Sequence, residues 1–240
     1  MRREHRPIYW KRIERFVDKA YAEHFVVPQF DAVGQGCGFQ NPRYIEVIGP
    51  RVTLGDYVQI AALRDASVRF TAWGTGPGLG KITVGDYSVI NPGARISAGC
   101  EITLGRNTLL ASNVQLSDTD WHGLYDRVHD HGGSTPIVLE DNVWLGEGVL
   151  VCKGVTIGKN SVVAARSVVT RDLPSNVVAA GNPAKVVKEL DGSRDFYSHS
   201  DVLTREPDFV ERLEDLEHAM TKDNTFLGML RYLLFPTRKD

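Results

Sequence analysis

The sequence predicts a mainly β chain, wound as a parallel β-helix on a six-residue repeat. Three observations carry this. Starting at Leu139, every sixth residue is aliphatic: Leu145, Val151, Ile157, Val163 and Val169 follow. Four residues after these positions come small or β-branched side chains, Val143, Val149, Val155, Ser161 and Ser167. The same register runs upstream through Ile48, Leu54 and Ile60, through Val84, Ile90 and Ile96, and, after a two-residue slip, through Leu104, Leu110 and Leu116. A period of six fits neither the 3.6-residue helix nor simple strand alternation. A β-sandwich gives no reason to hold it. One inward aliphatic per short strand, followed by a turn with Gly or Asn, makes a triangular coil. Such coils bury their cores only by stacking.

The elements follow in order. Residues 1–30 are expected as an N-terminal helical segment. Over 7–25, Ile8, Ile13, Phe16, Val17, Ala20 and Tyr21 share a face, and Pro28 ends the run. Residues 31–190 form the β-helix, entered irregularly over 34–47. Two insertions break its register. Residues 71–80, TAWGTGPGLG, are Gly-rich and turn-like; residues 117–135, SDTDWHGLYDRVHDHGGST, are polar, with two aromatics and three histidines. In a solenoid such insertions become loops on one face, often the working face. After Val169, Asp-Leu-Pro and Gly-Asn-Pro turns end the stack with a last strand. Residues 191–240 are a helical extension. Pro207 suits a first helical turn, Phe209, Leu213, Leu216, Ala219 and Met220 line a face, a break falls near 222–224, and TFLGMLRYLLF is strongly apolar.

Composition bounds the function. With 28 Lys and Arg against 30 Asp and Glu, the net charge of −2 offers no bulk attraction to nucleic acid. The three cysteines, Cys37, Cys100 and Cys152, are odd in number and lack CxxC spacing, which argues against a disulfide framework or a zinc ribbon. The basic start (Arg2, Arg3, Arg6) lacks the apolar run of a signal peptide, and no stretch reaches transmembrane length. A reducing cytoplasm is the expected compartment.

A core of Leu, Val and Ile has no chemistry, so the insertions must supply it. His122 lies in the second one, just past the strand ending at Leu116. A neutral imidazole at a coil edge can take a proton from an attacking hydroxyl or amine. A carboxylate, with Asp118, Asp120 and Asp126 as candidates, or a backbone carbonyl would fix its tautomer. His129 and His131 form an H-x-H pair in the same loop; they read as mobile-loop residues and reserve bases rather than metal ligands, and no metal is expected. Cys152 stands where small core residues belong and reads as packing, not as a nucleophile.

The repeat resembles the hexapeptide-repeat acyltransferases, whose pattern is roughly [LIV]-[GAED]-x-x-[STAV]-x. The resemblance covers about Ile48 to Val187. Within it, ITLGRNTLLASNVQLSDTDWHGLYDR and PIVLEDNVWLGEGVLVCKGVTIGKNSVVAARSVVTRDLPSNVVAAGNPAKVVKEL look like the maltose, galactoside and nodulation-factor O-acetyltransferase branch. The resemblance implies a left-handed β-helix, a homotrimer, acetyl-CoA as acyl donor and a sugar or polysaccharide precursor as acceptor. It places the catalytic histidine at His122 and an active-site Asn at Asn91; a turn role beside Pro92 is an equal reading of Asn91. It sets Trp144 near the acceptor and the pantetheine, or at a trimer seam. It implies a CoA groove at Gly146, Ala165, Thr170 and Arg171, with Lys185 and Lys188 offering charge to the phosphates.

The chain also departs from the branch. The acidic acceptor-binding residue expected in the coil after the Asn is missing, since Ser97, Ala98, Gly99 and Cys100 carry no carboxylate. The N-terminal segment differs, and the C-terminal extension lies outside the resemblance. That extension suits packing across a trimer better than lying on a membrane. N-acetylation of an amino sugar or nucleotide sugar and a non-catalytic scaffold are the competing readings. A γ-class carbonic anhydrase is disfavoured because no histidine lies between Gln29 and Trp121.

Overall fold

The computed structural model describes residues 4–73, 80–129, 132–206 and 208–237. Its contacts divide the chain into two compact units, Tyr21–His199 and the pair Met1–Ala20 with Ser200–Asp240.

The larger unit is a parallel β-helix with three faces. The first face is built from Ala32–Val33, Val52–Leu54, Lys81–Val84, Glu101–Leu104, Ile137–Leu139 and Thr156–Ile157. The second carries Gly38–Gln40, Gln59–Ala61, Val89–Ile90, Leu109–Leu110, Trp144–Leu145, Val162–Val163, Val177–Gly181 and Ala184–Glu189. The third carries Ile45–Ile48, Val68–Ala72, Arg95–Ala98, Gln115–Ser117, Leu150–Val151 and Val168–Val169. The chain visits first, second and third face in turn, so each coil stacks on the one before.

The stacking explains the six-residue period. Leu54, Val84, Leu104, Leu139 and Ile157 are direct partners up the first face. Ile60, Ile90, Leu110, Leu145, Val163 and Ala179 do the same on the second, and Phe70, Ile96, Leu116, Val151 and Val169 on the third. All are buried, and so are Val143, Val149, Val155, Ser161 and Ser167 at the corners. Each hexapeptide therefore points two side chains inward, one from the strand and one from the corner. Full burial of one such Leu or Ile is worth about 1.5–3 kcal/mol.

One position departs from the expected register. Ile48 is 47% exposed, and Val47 is the partner of Phe70. Seven residues rather than six separate Val47 from Leu54, the next inward position, and this displaces the register by one. Ala22, Val26 and Phe30 close the mouth of the solenoid, with the Phe30 ring edge-on to Phe70 at 5.6 Å. At the far end Ala184–Glu189 turns back antiparallel on Val177–Gly181.

The first-to-second corner repeats one backbone conformation. Tyr57, Tyr87, Asn107, Asn142, Asn160 and Asn176 all have φ between 55° and 59°. Asn tolerates this left-handed region. The two tyrosines do so less readily, and their rings stack at 5.3 Å.

In the smaller unit α1 (Ile8–Tyr21) is followed by a π-helical turn over Ala22–Val26 and a 3-10 turn over Val27–Gln29, which lie in the larger unit. The helical run thus ends gradually around Pro28. On the expected apolar face of α1, Ile13, Phe16 and Val17 are exposed, whereas Tyr21 is partly buried against the solenoid core. The C-terminal helices are α2 (His199–Arg205), α3 (Phe209–Thr221) and α4 (Phe226–Leu234). Helix α2 begins before the span that the sequence pattern indicates. The break near 222–224 is present, and Thr225 caps α4 by accepting the Gly228 amide. Pro207 lies outside the described residues. No helix among the described residues is long and apolar enough to cross a membrane.

Candidate active site

Both insertions leave the solenoid at the same place, the corner between the third face and the first. Residues 71–80 begin at the end of Val68–Ala72, and 117–135 at the end of Gln115–Ser117. The intervening coil passes this corner in two residues, Gly99 and Cys100. Residues 74–79 and 130–131, His131 among them, lie outside the described residues.

The second insertion is anchored at its base. Thr119 and Ser134 form an antiparallel bridge. Lys153, one corner further on, donates from Nζ to Asp120 Oδ2 at 2.5 Å and to the Gly133 carbonyl at 3.0 Å. Asp118 is fully buried and accepts the amides of Gly99 and Cys100.

His122 projects from this base and is exposed. Its Nδ1 lies 3.0 Å from the Arg127 carbonyl oxygen. A carbonyl only accepts, so Nδ1 carries the proton and Nε2 is left with a lone pair. The carboxylates considered as its partner are engaged elsewhere: Asp118 with the coil amides, Asp120 with Lys153, and Asp126 with the Val128 and His129 amides and His129 Nδ1. The hydrogen bonds from the His129 and Val128 amides hold the Asp126 carboxyl below its usual range. The backbone carbonyl is the orienting group because the loop doubles back on itself within five residues.

The other site residues that the resemblance implies fall on three parts of one solenoid. Asn91, Gly146 and Ala165 sit at the second-to-third corner. Thr170 and Arg171 sit at the third-to-first corner, two coils beyond His122, and both are exposed. Trp144 is on the second face, 48% exposed, between Leu109 and Val162. Lys185 and Lys188 are exposed on the terminal antiparallel strand, opposite Ala180 and Val178. Asn91 donates from Nδ2 to the Leu110 carbonyl at 2.9 Å, so its amide nitrogen is committed to the next coil. Gly146 has a packing reason of its own: a Cβ there would lie 2.6 Å from the Ala165 nitrogen. The two corners are opposite ends of the third face, so one chain does not bring His122 and Asn91 together.

The thiols are poor nucleophile candidates. Burial, together with the Asp118 carboxylate, pushes Cys100 up to about 11, and burial also raises Cys152 and Cys37. Among the described residues no group of three or more His, Cys, Asp and Glu side chains could hold a metal ion.

Two residues beside His122 were not singled out by the sequence reading. Trp73 opens the first insertion and Trp121 precedes His122 in the second. Their rings meet edge to face, 5.1 Å apart at 67°. The available signal was positional, since each Trp sits within four residues of the point where the six-residue register fails.

Comparison with known proteins gives three results. Residues 136–171 match the family described as bacterial transferase hexapeptide (six repeats). The galactoside O-acetyltransferase of Escherichia coli K12 is 44% identical over 102 residues, covering 42% of this chain and 50% of that protein. The galactoside O-acetyltransferase of Lactococcus lactis is 42% identical over 103 residues, 41% of this chain and 49% of that protein. This chain thus spans about half the length of these curated relatives. Among solved structures, a hexapeptide-repeat acetyltransferase from Vibrio cholerae superposes with a TM-score of 0.53 at 27% identity, over 75% of this chain and 85% of that one. Its complex with acetyl coenzyme A gives 0.52 at 28% identity, over 73% and 79%.

Proposed function

We propose that the chain is a hexapeptide-repeat acyltransferase, and within that family an acetyl-CoA-dependent O-acetyltransferase of a sugar or polysaccharide precursor. The observation that carries the reading is the state of His122. It is exposed at the corner where both insertions emerge, and its Nδ1–H is spent on the Arg127 carbonyl. Nε2 is then the free base.

In this reading the acceptor hydroxyl loses its proton to His122 Nε2 as its oxygen attacks the thioester carbonyl of acetyl-CoA. A backbone N–H of the groove stabilises the oxyanion. The tetrahedral intermediate collapses, and the leaving CoA thiolate takes the proton back from the imidazolium. No acyl-enzyme forms, in keeping with the raised thiols.

We further propose a homotrimer of left-handed β-helices acting in the cytoplasm, and the placement of the remaining residues at two different corners is what favours a site shared between copies. His122 occupies one end of the third face; Asn91, Gly146 and Ala165 occupy the other. A second copy would bring its second-to-third corner to the first copy's His122. Asn91 would then face the acceptor, and Trp144, Gly146, Ala165, Thr170 and Arg171 would line the pantetheine path. Lys185 and Lys188 would meet the phosphates.

The test is release of free thiol from acetyl-CoA across a panel of glycosides, oligosaccharides and nucleotide sugars. Acceptor-dependent release with an ester product is expected. An amide product, or no release with any acceptor together with no thermal stabilisation by CoA, would overturn the reading.

A further inference from the structure

The geometry points to Trp73 and Trp121 as the acceptor-contacting platform of this site, a pair that takes the apolar face of a pyranose ring beside His122. This rests on the acetyltransferase reading and adds to it the residues that select the acceptor.

The two tryptophans come from different insertions, separated by a complete coil. They meet because the third-face strands stack in register, Thr71 on Ser97 and Ser97 on Ser117. The serines organise the pair. Trp73 donates its indole N–H to Ser97 Oγ at 3.0 Å, and Trp121 donates its own to Ser117 Oγ at 3.2 Å. Ser117 Oγ in turn donates to the Thr119 carbonyl at 3.1 Å. Each ring is thus held by its polar edge against the solenoid. Its hydrogen-bonding capacity is used, and only hydrocarbon surface remains to face outward.

Much of that surface stays in water. Trp73 is 50% exposed. Packing alone would favour covering it. Trp121 holds a left-handed backbone with φ of 67°, a conformation that is costly for a bulky residue. Its ring and the next side chain, His122, are set by the same turn. The hydroxyl to be acetylated must lie within about 3 Å of Nε2, so the ring that bears it must rest on whatever borders the histidine. On the chain Trp121 immediately precedes it, and Trp73 meets Trp121. Sugars carry C–H-rich faces between their hydroxyls, and a satisfied, outward-facing indole is a surface that binds such a face without competing for the hydroxyl that reacts. The carboxylate that the galactoside branch would supply is missing from Ser97–Cys100, and the Trp platform occupies the same corner.

The experiment uses the full chain and two variants, W73A and W73F, read in two ways. Indole fluorescence is titrated with methyl β-D-galactopyranoside, maltose and methyl N-acetyl-β-D-glucosaminide. Sorbitol, an acyclic polyol without a ring face, is the control. At least one pyranoside should change the emission saturably, W73F should retain this, and W73A should lose it or weaken it roughly tenfold, the size expected for one aromatic contact. In turnover, W73A should raise the acceptor KM by a similar factor and leave the acetyl-CoA KM unchanged. A folded W73A with wild-type KM for both substrates overturns the platform and leaves the acetyltransferase reading standing. So does a response to sorbitol equal to that of the sugars. No response to any pyranoside also overturns it. Trp73-dependent sugar binding in a chain that never releases CoA would keep the platform and sink the acetyltransferase reading instead.

Discussion

Two corners of the same solenoid have opposite characters. At the first-to-second corner every coil turns in the same way. Asn142 donates to Asn160, which donates to Asn176, at 3.0 and 2.9 Å. Asp86 and Asp141 accept the backbone amides of Asp56 and Arg106. These polar groups are used by the coil above or below. At the third-to-first corner the turns differ from coil to coil: two residues at Gly99 and Cys100, a long loop before and after. There a histidine and two tryptophans present unused surface to solvent. The same inward columns of Leu, Ile and Val support both corners. The difference teaches that the repeat secures stability along one edge, and so leaves another free to vary without unpicking the core.

The comparison can be broken or sharpened at three positions. The largest effect is expected at the variable corner. His122→Ala should lower turnover by about 10²- to 10⁴-fold, the usual contribution of a general base, while CoA affinity and melting temperature stay near those of the parent. Single-turnover kinetics with a melting curve checks this; a variant with parental turnover would return the role to His129 or His131.

Next comes the regular corner. Asn160→Ala removes two side-chain hydrogen bonds and puts a Cβ without local compensation at φ of 59°. Roughly 2–3 kcal/mol of stability should be lost, measured by urea unfolding, with kcat per folded molecule unchanged. If activity fell instead and stability held, the division of labour between the corners would be wrong.

The smallest effect also lies at the variable corner. Lys153, in the third-to-first turn of the next coil, clasps the second insertion through Asp120 and Gly133. Lys153→Met keeps the stem and drops the donors. Turnover should fall on the order of tenfold through misplacement of the loop, with little change in global stability, since exposed ion pairs are worth about 0–1 kcal/mol. Faster hydrogen exchange confined to 118–136 would identify the cause; uniform exchange across the chain would argue against it.

The core was legible in the sequence almost residue by residue. Leu139 to Val169 occupy the columns their spacing assigns, because stacked coils compel a side chain to face inward at a fixed interval. Ile48 shows the limit: near the solenoid mouth seven residues rather than six separate Val47 from Leu54, and the period slips. The insertions were legible as interruptions, and His122 as a candidate within one. Its partner was left open between a nearby carboxylate and a backbone carbonyl; the fold assigns Asp118 and Asp120 to the coil and to Lys153, and the Arg127 carbonyl takes the place. Helix α1 marks a different limit, for its apolar stripe is plain in the sequence and yet Ile13, Phe16 and Val17 on it are exposed.

What the sequence determined by itself, then, is the repeat, the shape that follows from it and the two places where it stops. Period and side-chain size are local quantities, and they suffice for that. Only the tertiary structure decided that both stops open at one corner, that Trp73 and Trp121 touch across an intervening coil, and that Arg127 rather than an aspartate orients His122. The tryptophan contact joins residues that no short-range pattern relates; it depends on how many coils separate two strands and on which face each returns to, while the His122–Arg127 contact depends on the path of the loop.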